Sequence, residues 1–327
     1  MLRIFNNVAR HIVQSGLIVL FGIVMIVPSN AAVPGPVTGQ SMTLQPAGSA
    51  SFAQMQQAAS VQSLAPAYPR VRIVPKMEAP TKDLGSFLLP TPAQTAKPSP
   101  LAALPQPSAP AASVTGFQAL LDNLTAIPPD TMGAVGPNHL MTMLNSQVRI
   151  QNKAGGIIQT VSLTAFWTAP TTGLNGTPFD PHVIYDTLSG RWIAACAANG
   201  KSANSQIWLA VSATSDPTGV WHFYSFIADA TGTNWADYPG LGVNSKWIAI
   251  TANMFPVAGG AIPGIQMWVI DKSTALNGGA LTVKNFAPGF TNNSTMIPAV
   301  VRDAAEPNLY FVNTGFSANQ KTVDLIA

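Results

Sequence analysis

The fold is decided by a phrase that the chain contains twice, "DPHVIYDTLSGRWIAACAA" at residues 180–198 and "DYPGLGVNSKWIAITAN" at residues 237–253. Each copy begins with Asp and a nearby Pro, continues through a short apolar stretch and a polar turn, and then places a basic residue before Trp-Ile-Ala. A phrase that returns at such a spacing is typical of a repeat architecture, in which each copy forms one supersecondary unit.

Weaker versions of the phrase extend the repeat on both sides. The units begin near Asp130, Asp180, Asp237 and Ile297, about 50 to 60 residues apart. Each unit contains short runs of β-branched and aromatic residues bounded by turn residues, which predict about four strands. The sequence therefore predicts an all-β fold, a β-propeller with four-stranded blades whose innermost strand comes first. About three and a half blades are visible, so we expect a C-terminally truncated propeller or a partner that closes the ring.

The strands "WIAACAA" and "WIAITA" are apolar at almost every position, not at alternate ones. This pattern predicts strands that are covered on both faces by neighbouring blades, and the small side chains suit close packing near an axis. Cys196, the single cysteine, lies in the first of these strands. It rules out an intrachain disulfide and is expected to be a buried small hydrophobe.

The N-terminus reads as a secretory signal peptide over residues 1–32. Arg3 and Arg10 precede the apolar stretch at residues 16–27, and Pro28 and small residues follow it. The apolar stretch is short for a membrane span, which needs about 20 residues. We therefore expect a secreted protein, at the outer surface or in the periplasm, with no transmembrane span after signal cleavage; an uncleaved anchor is the alternative.

Residues 33–115 contain 14 of the 28 prolines, together with much Ala, Ser and Gln. Such a composition buries too little apolar surface to offset the entropy of ordering, so this segment is predicted to be a disordered linker, with a propeptide as the alternative. Two short islands within it, "RVRIVPKM" and "GSFLLP", are candidate strands that dock on the domain. Residues 116–327 are predicted to form the propeller domain.

The charge balance excludes one class of partner. The whole chain has a formal net charge of +3, but from Gly116 onward nine Lys and Arg face eleven Asp and Glu, a balance of −2. Without a basic patch to follow a phosphate backbone, we expect no nucleic-acid binding.

Four phrases together resemble a broad group of exported bacterial proteins with an N-terminal propeller domain. They are "PPDTMGAVGPNH", "DPHVIYDTLSGRW", "AVSATSDPTGVW" and "DYPGLGV", at Pro128–His139, Asp180–Trp192, Ala210–Trp221 and Asp237–Val243. The resemblance covers roughly residues 125 to 315. It implies an extracellular location and a propeller fold, but no particular chemistry.

The stretch "SATSDPTGVW" also resembles the Asp-box of sialidase-like propellers, through Asp216, Gly219 and Trp221. In such a β-turn we expect Asp216 to accept backbone N–H groups, Gly219 to take a strained φ and Trp221 to pack beneath. The resemblance implies that the box is structural and lies away from an active site.

Several carboxylates near the starts of the units are candidate functional groups. Asp130, Asp180, Asp186 and Asp237 begin the units, and several of them at one end of a propeller can form an acid/base pair or a Ca²⁺ site, the latter through Asp130, Asp180 and Asp186. The structural alternative is that each Asp caps its own backbone before a turn. No cofactor is evident, and Ca²⁺ is the candidate metal.

Two aromatic residues and three arginines complete the candidates. Trp235 and Tyr238 are predicted to lie in a loop, where aromatic rings can stack on sugars; packing within the loop is the alternative. Arg149, Arg191 and Arg302 are the only arginines after Gly116. Sialidases bind a sugar carboxylate with three arginines, but the residue order here does not match theirs, so only Arg191, near a unit start, is retained as a candidate.

The sequence contains neither a G-x-S-x-G motif nor a P-loop. We therefore expect an exported, non-catalytic module for binding or adhesion, with a glycan or another cell-surface ligand as its partner. The alternative is a secreted glycoside hydrolase that uses the Asp residues at the unit starts.

Overall fold

The computed structural model describes residues 39–62, 72–73, 116–260, 264–286, 295–313 and 324–326. The predicted signal peptide lies outside the described residues. Within the part of the chain that the structure describes, no helix has the length and apolarity needed to cross a membrane.

Strands dominate the described residues, and the helices are short apart from the first. The helices are α1 Phe52–Gln62, α2 Leu163–Thr168 and α3 Lys272–Leu276. The strands are β1 Gln40–Leu44, β2 Gly48–Ser51, β3 Arg72–Ile73, β4 Ala126–Ile127, β5 Met132–Val135, β6 His139–Met143, β7 Gln147–Asn152, β8 Ile157–Ser162, β9 Pro178–Asp186, β10 Arg191–Ala198, β11 Gln206–Ser212, β12 Val220–Ile227, β13 Asn234–Val243, β14 Trp247–Pro256, β15 Gly264–Asp271, β16 Leu281–Phe286, β17 Met296–Pro298, β18 Phe311–Asn313 and β19 Asp324–Ile326.

Four antiparallel sheets follow one another along the chain. The first sheet is β5-β6-β7-β8, the second continues from β9 to β12, the third from β13 to β16, and the fourth is β17-β18-β19. The first strands of consecutive sheets are neighbours, because β5 contacts β9, β9 contacts β13 and β13 contacts β17. The prediction of antiparallel units of about four strands, each beginning at the repeated phrase, is thus confirmed. Closure of a ring remains a prediction.

The second sheet is buried on both faces, as its sequence predicts. Ile193 and Ala195 of β10 belong to the core between the second and third sheets. Trp192, Ala194 and Cys196 of the same strand belong to the core between the first and second sheets. Alternate residues of a strand point to opposite faces, so only a strand with an apolar layer on each side can be apolar throughout.

The N-terminal segment corrects one prediction. The sequence predicts disorder over residues 33–115 apart from two short candidate strands, but β1 pairs with β16 and β2 pairs with β12, each as a fifth strand of its sheet. Helix α1 then buries Phe52 and Met55 in the core between the first and second sheets. The prediction of disorder is therefore wrong for residues 39–62. Of the remaining linker, only Arg72–Ile73 is described, where β3 pairs in parallel with β4.

The Asp-box turn joins β11 to β12. Asp216 Oδ1 accepts hydrogen bonds from the backbone N–H and the hydroxyl of Thr218, at 2.9 and 2.7 Å. Trp221 is fully buried, and its Nε1 donates to the carbonyl of Pro217 at 2.8 Å. Gly219 does not adopt a positive φ, which corrects the expectation of strain there, since its N–H closes the turn on the Asp216 carbonyl without it.

The third and fourth sheets approach each other closely at two glycines of β13. A Cβ on Gly242 would lie 2.5 Å from the carbonyl oxygen of Ala299, and one on Gly240 would lie 2.8 Å from Cδ of Pro298. Glycine at these two positions lets the backbone segments pack against each other, and this packing brings the starts of the sheets together.

Candidate functional site

A residue with a positive φ marks the start of each of the four sheets. The φ angles are 45° at Asp130, 50° at Asp180, 49° at Tyr238 and 59° at Thr295. Such angles are uncommon and costly for residues other than Gly. In β9 and β13 the kinked residue precedes a Pro, and the strand register shifts there. The repeated phrase therefore places a kink just before each first strand or within its N-terminal half.

Asn145, which follows β6, joins the kinks of the first two sheets. Its Nδ2 donates to Oδ2 of Asp130 at 2.6 Å and to the carbonyl of Pro128 at 2.9 Å. Its Oδ1 accepts the backbone N–H of Asp180 at 2.7 Å. Because Asn145 is only 2% exposed, this amide fixes the two aspartates relative to each other.

Two carboxyl groups are buried next to Asp130. Burial raises the pKa of Asp180 to about 8, and a hydrogen bond with Asp130 and the negative charges of Asp237 and Asp130 add to this effect. Burial also raises the pKa of Asp237 to about 7; the backbone N–H of Tyr238 opposes that rise, and the charge of Asp130 supports it. Near neutral pH the group can therefore hold and exchange protons.

Asp237 has an unsatisfied oxygen. Its side chain is 3% exposed, yet Oδ1 has no hydrogen-bond partner among the described residues. A buried carboxyl oxygen without a donor carries an uncompensated desolvation cost. The hydrogen bonds among the described residues therefore leave this buried oxygen of Asp237 without a donor.

His182 and Tyr238 connect the buried carboxyls with the surface. Their rings lie edge to face, with centroids 6.2 Å apart. Burial lowers the pKa of His182 to about 4 although the charge of Asp130 acts in the opposite direction, so the imidazole is neutral at neutral pH. Tyr238 is 47% exposed, and its ring is available to a ligand next to the acidic group.

The position of Trp235 corrects a third prediction. It lies in β13 and not in a loop, and it is 4% exposed. Its ring packs against Phe255 and Phe179, with centroid distances of 5.3 and 6.5 Å. A side chain buried in this way offers no ring face to a ligand. Tyr238 is exposed and remains a candidate for stacking on a sugar.

Asp186 does not join Asp130 and Asp180, so the predicted Ca²⁺ trio is not assembled. Asp186 ends β9, six residues after Asp180, which places it about 20 Å along the strand at roughly 3.3 Å per residue. There it forms a buried ion pair with Lys272, with Oδ2 and Nζ 2.9 Å apart. Arg191 pairs with Asp186 in the β9–β10 ladder and therefore lies at the same distant end.

The arginines do not form a clamp. Arg149 in β7 donates to Thr160 within the first sheet, at 3.0 Å. Arg191 donates to carbonyl oxygens of its own turn at 3.3 Å, and Arg302 is exposed after β17. The described residues also contain no group of three or more His, Cys, Asp or Glu arranged to hold a metal ion.

Sequence reasoning missed Asn145, although the repeat contains a signal for it. Asn253, in the second strand of the third sheet, has the same role: its Oδ1 accepts the N–H of Thr295 at 2.5 Å and its Nδ2 donates to the Thr295 hydroxyl at 3.0 Å. At two of the three junctions between consecutive sheets of the described residues, an Asn near the end of the second strand thus holds the kinked residue of the next unit.

Comparisons with known proteins give a distant similarity in fold alone. No protein-family model and no curated protein sequence matches the chain. Among solved structures, an exo-β-1,3-galactanase from Clostridium thermocellum has 9% identity and a TM-score of 0.36, with 58% of this chain and 42% of that chain covered. The endosialidase of phage phi92 has 11% identity and a TM-score of 0.36, with 60% and 34% covered.

A GH43 endo-arabinanase from Bacillus licheniformis has 14% identity and a TM-score of 0.26, with 60% of this chain and 91% of that chain covered. The matched region thus spans less than half the length of the first two structures. The similarity is to β-propeller glycoside hydrolases as a structural group, and nothing about activity follows from it.

Proposed function

We propose that residues 116–327, completed by strands β1 and β2, form a β-propeller module of an exported protein that binds glycans. The order of the four sheets, their adjacent first strands and the cores on both sides of the second sheet support the propeller. The N-terminal pattern of residues 1–32 supports export. The binding site is the acidic group of Asp130, Asp180 and Asp237 with the ring of Tyr238 beside it.

The observation that carries this proposal is the exposed ring of Tyr238 next to buried carboxyls. An aromatic ring offers an apolar face with a polar edge, which suits the apolar face of a sugar ring. The carboxyl oxygens of Asp130 can accept hydrogen bonds from sugar hydroxyls, and the carboxyl of Asp180, which keeps its proton at neutral pH, can also donate one. A few polar groups that converge beside an apolar surface are typical of ligand sites.

The test is a titration of the full chain with neutral oligosaccharides, after a glycan array has identified binders. Tyr238→Ala is expected to weaken binding at least about tenfold, because it removes the stacking surface. Val220→Ala is the matched control, since Val220 is an exposed apolar residue in a different sheet, at the end of β12 next to the Asp-box turn. Binding that survives Tyr238→Ala unchanged would contradict the proposed site.

A second candidate function, glycoside hydrolysis, is favoured by the two raised pKa values. With burial as the main cause, the pKa values of Asp180 and Asp237 lie at about 8 and about 7. Glycosidases pair a carboxyl that keeps its proton with one that ionises more readily, the two lying about 5 Å or more apart on either side of the scissile bond. Asp180 and Asp237 share a hydrogen bond here, so this mechanism requires that a bound sugar separate them. In this mechanism Asp180 would be the acid.

Sugar release from a panel of polysaccharides separates the two functions. Hydrolysis that is lost in both Asp180→Asn and Asp237→Asn, with folding and glycan binding retained, would establish the hydrolase. Binding without turnover in the unmodified chain would support the module for binding alone.

A further inference from the structure

The candidate site has an excess of negative groups. Three carboxyls, from Asp130, Asp180 and Asp237, interact with one another. Lys201 is the one cation whose charge acts on Asp237, and His182 is neutral at neutral pH because burial lowers its pKa. Burial and the neighbouring carboxyls raise the pKa values of Asp180 and Asp237, so at neutral pH the first keeps its proton and the second keeps it in part. A cation bound here would replace these protons and relieve the repulsion among the ionised carboxyls, whereas an anionic sugar would increase it.

The unsatisfied Oδ1 of Asp237 indicates what kind of cation fits. The side chain is 97% buried, and this oxygen lacks a donor among the described residues. A primary ammonium group carries three N–H donors and one positive charge, so it can supply both the missing hydrogen bond and the missing charge. A metal ion fits less well, since the described carboxyl and imidazole groups form no metal-ligand set.

Tyr238 adds a second feature that favours an ammonium group. Ammonium cations bind over the face of a tyrosine ring, within about 6 Å of its centre. Tyr238 is 47% exposed, and Asp130 and His182 are half-buried. These three side chains are the members of the group that reach solvent, so a ligand meets the ring before the buried carboxyls.

We propose that the glycan bound at this site carries free primary amines, as an oligosaccharide of glucosamine does, with an ammonium group held between the carboxyls of Asp130, Asp180 and Asp237 and the ring of Tyr238. This inference rests on the proposed glycan binding. It narrows the ligand class to cationic amino sugars, and it excludes the sialic acids that sialidase-like propellers suggest.

The test compares three tetrasaccharides by isothermal titration calorimetry with the full chain: the glucosamine tetramer, the N-acetylglucosamine tetramer and cellotetraose. The glucosamine tetramer is expected to bind at least about tenfold more tightly than the other two, because a hydrogen bond to a charged group contributes more than a neutral one. High salt is expected to reduce this preference, since the half-buried and exposed members of the site are screened.

Two variants test whether the carboxyls of Asp237 and Asp130 cause the preference for glucosamine. Asp237→Asn keeps the side-chain shape but removes the ionisable carboxyl, and it is expected to reduce the preference for glucosamine over cellotetraose at least about fivefold. Asp130→Asn is expected to act in the same direction, and since Asp130 is only half-buried it tests the idea if Asp237→Asn fails to fold. Asp303→Asn, at an exposed position after β17, is the matched loss of one charge and is expected to leave the preference unchanged.

The outcomes separate this inference from the proposed function. Equal affinity for the three tetramers, weakened by Tyr238→Ala, would overturn the amino-sugar inference and leave glycan binding in place. A preference for glucosamine that persists in both Asp237→Asn and Asp130→Asn would also overturn it. Failure to bind any tetramer, with other glycans bound on the array, would overturn the amino-sugar inference alone, whereas failure to bind any glycan on the array would overturn both proposals.

Discussion

Replacement of Asp180 by Asn is expected to remove part of the pH dependence of the free energy of unfolding. Asp180 is 7% exposed, and burial, followed by hydrogen bonding with Asp130 and the charges of Asp237 and Asp130, raises its pKa from 3.8 to about 8. In the unfolded chain the same carboxyl ionises near its ordinary value. Between these two pKa values the folded chain keeps a proton that the unfolded chain has lost.

The sign follows from this proton balance. Below about pH 3.8 both states hold the proton, and the contribution of the neutral carboxyl to stability is fully present. As the pH rises toward 8, the free energy of unfolding falls by about 1.4 kcal/mol per pH unit for one such group. Between pH 5 and pH 7, Asp180 alone therefore lowers the free energy of unfolding by about 3 kcal/mol, and Asp237 acts in the same direction.

Asparagine at position 180 is close in shape to the protonated carboxyl and cannot ionise. Asp180→Asn is therefore expected to be more stable than the unmodified chain at pH 7, by up to about 4 kcal/mol, and nearly equal to it at pH 4. The assay is urea unfolding followed by tryptophan fluorescence from pH 4 to pH 8. Free energies of unfolding that change in parallel with pH in the two proteins would refute the reasoning.

Asp229→Asn is the control with the opposite sign. Burial alone would raise the pKa of Asp229, but hydrogen bonds from Thr231, Asn234 and Thr233 outweigh it and lower the pKa. A lowered pKa stabilises the fold above the unfolded value and loses that effect as the pH falls. Asp229→Asn is therefore expected to be less stable than the unmodified chain at pH 7, with a difference that shrinks as the pH falls.

Three further substitutions test the packing, each measured as a change in the free energy of unfolding in urea. Lys272→Met is expected to cost about 3 to 5 kcal/mol, because it leaves Asp186 buried without its partner; an effect below about 1 kcal/mol would contradict the buried pair. Gly242→Ala is expected to cost about 1 to 3 kcal/mol, since the new Cβ meets the carbonyl of Ala299, and an unchanged midpoint would contradict that close contact. Phe52→Ala is expected to cost about 3 to 5 kcal/mol if α1 is part of the core; a neutral result would mean that α1 does not pack there.

The repeat in the sequence predicted the sheets because it reflects the burial of both faces. The runs that contain Ile193 and Ile250 are apolar at almost every position, and only sheets stacked on either side produce that pattern. The N-terminal strands β1 and β2 were not predicted. They contribute mainly backbone hydrogen bonds at the outer edges of two sheets, and an outer strand needs no particular apolar pattern.

The site was predicted in part. Asp130, Asp180 and Asp237 were selected because they begin units, and the kinks do bring them together. Asp186 was wrongly grouped with them. It is close to Asp180 in sequence, but the residues between them form an extended strand, which places the two side chains far apart. Trp235 was wrongly placed in a loop, because Pro and Gly beside it suggest a turn, whereas a shift in strand register accommodates both residues within β13.

The contrast between the sheets argues that the carboxyls are not required by the fold. Asn145 accepts the backbone N–H of Asp180 and donates to the carboxyl of Asp130. Asn253 likewise accepts the backbone N–H of Thr295, but it donates to the Thr295 hydroxyl, so no carboxyl is needed at that junction. A neutral side chain can thus join consecutive sheets at this position. The acidic groups of the first three sheets add burial and mutual repulsion that this link does not need. Strain and unfavourable charge persist where function uses them, which supports the proposal that the three carboxyls bind a ligand.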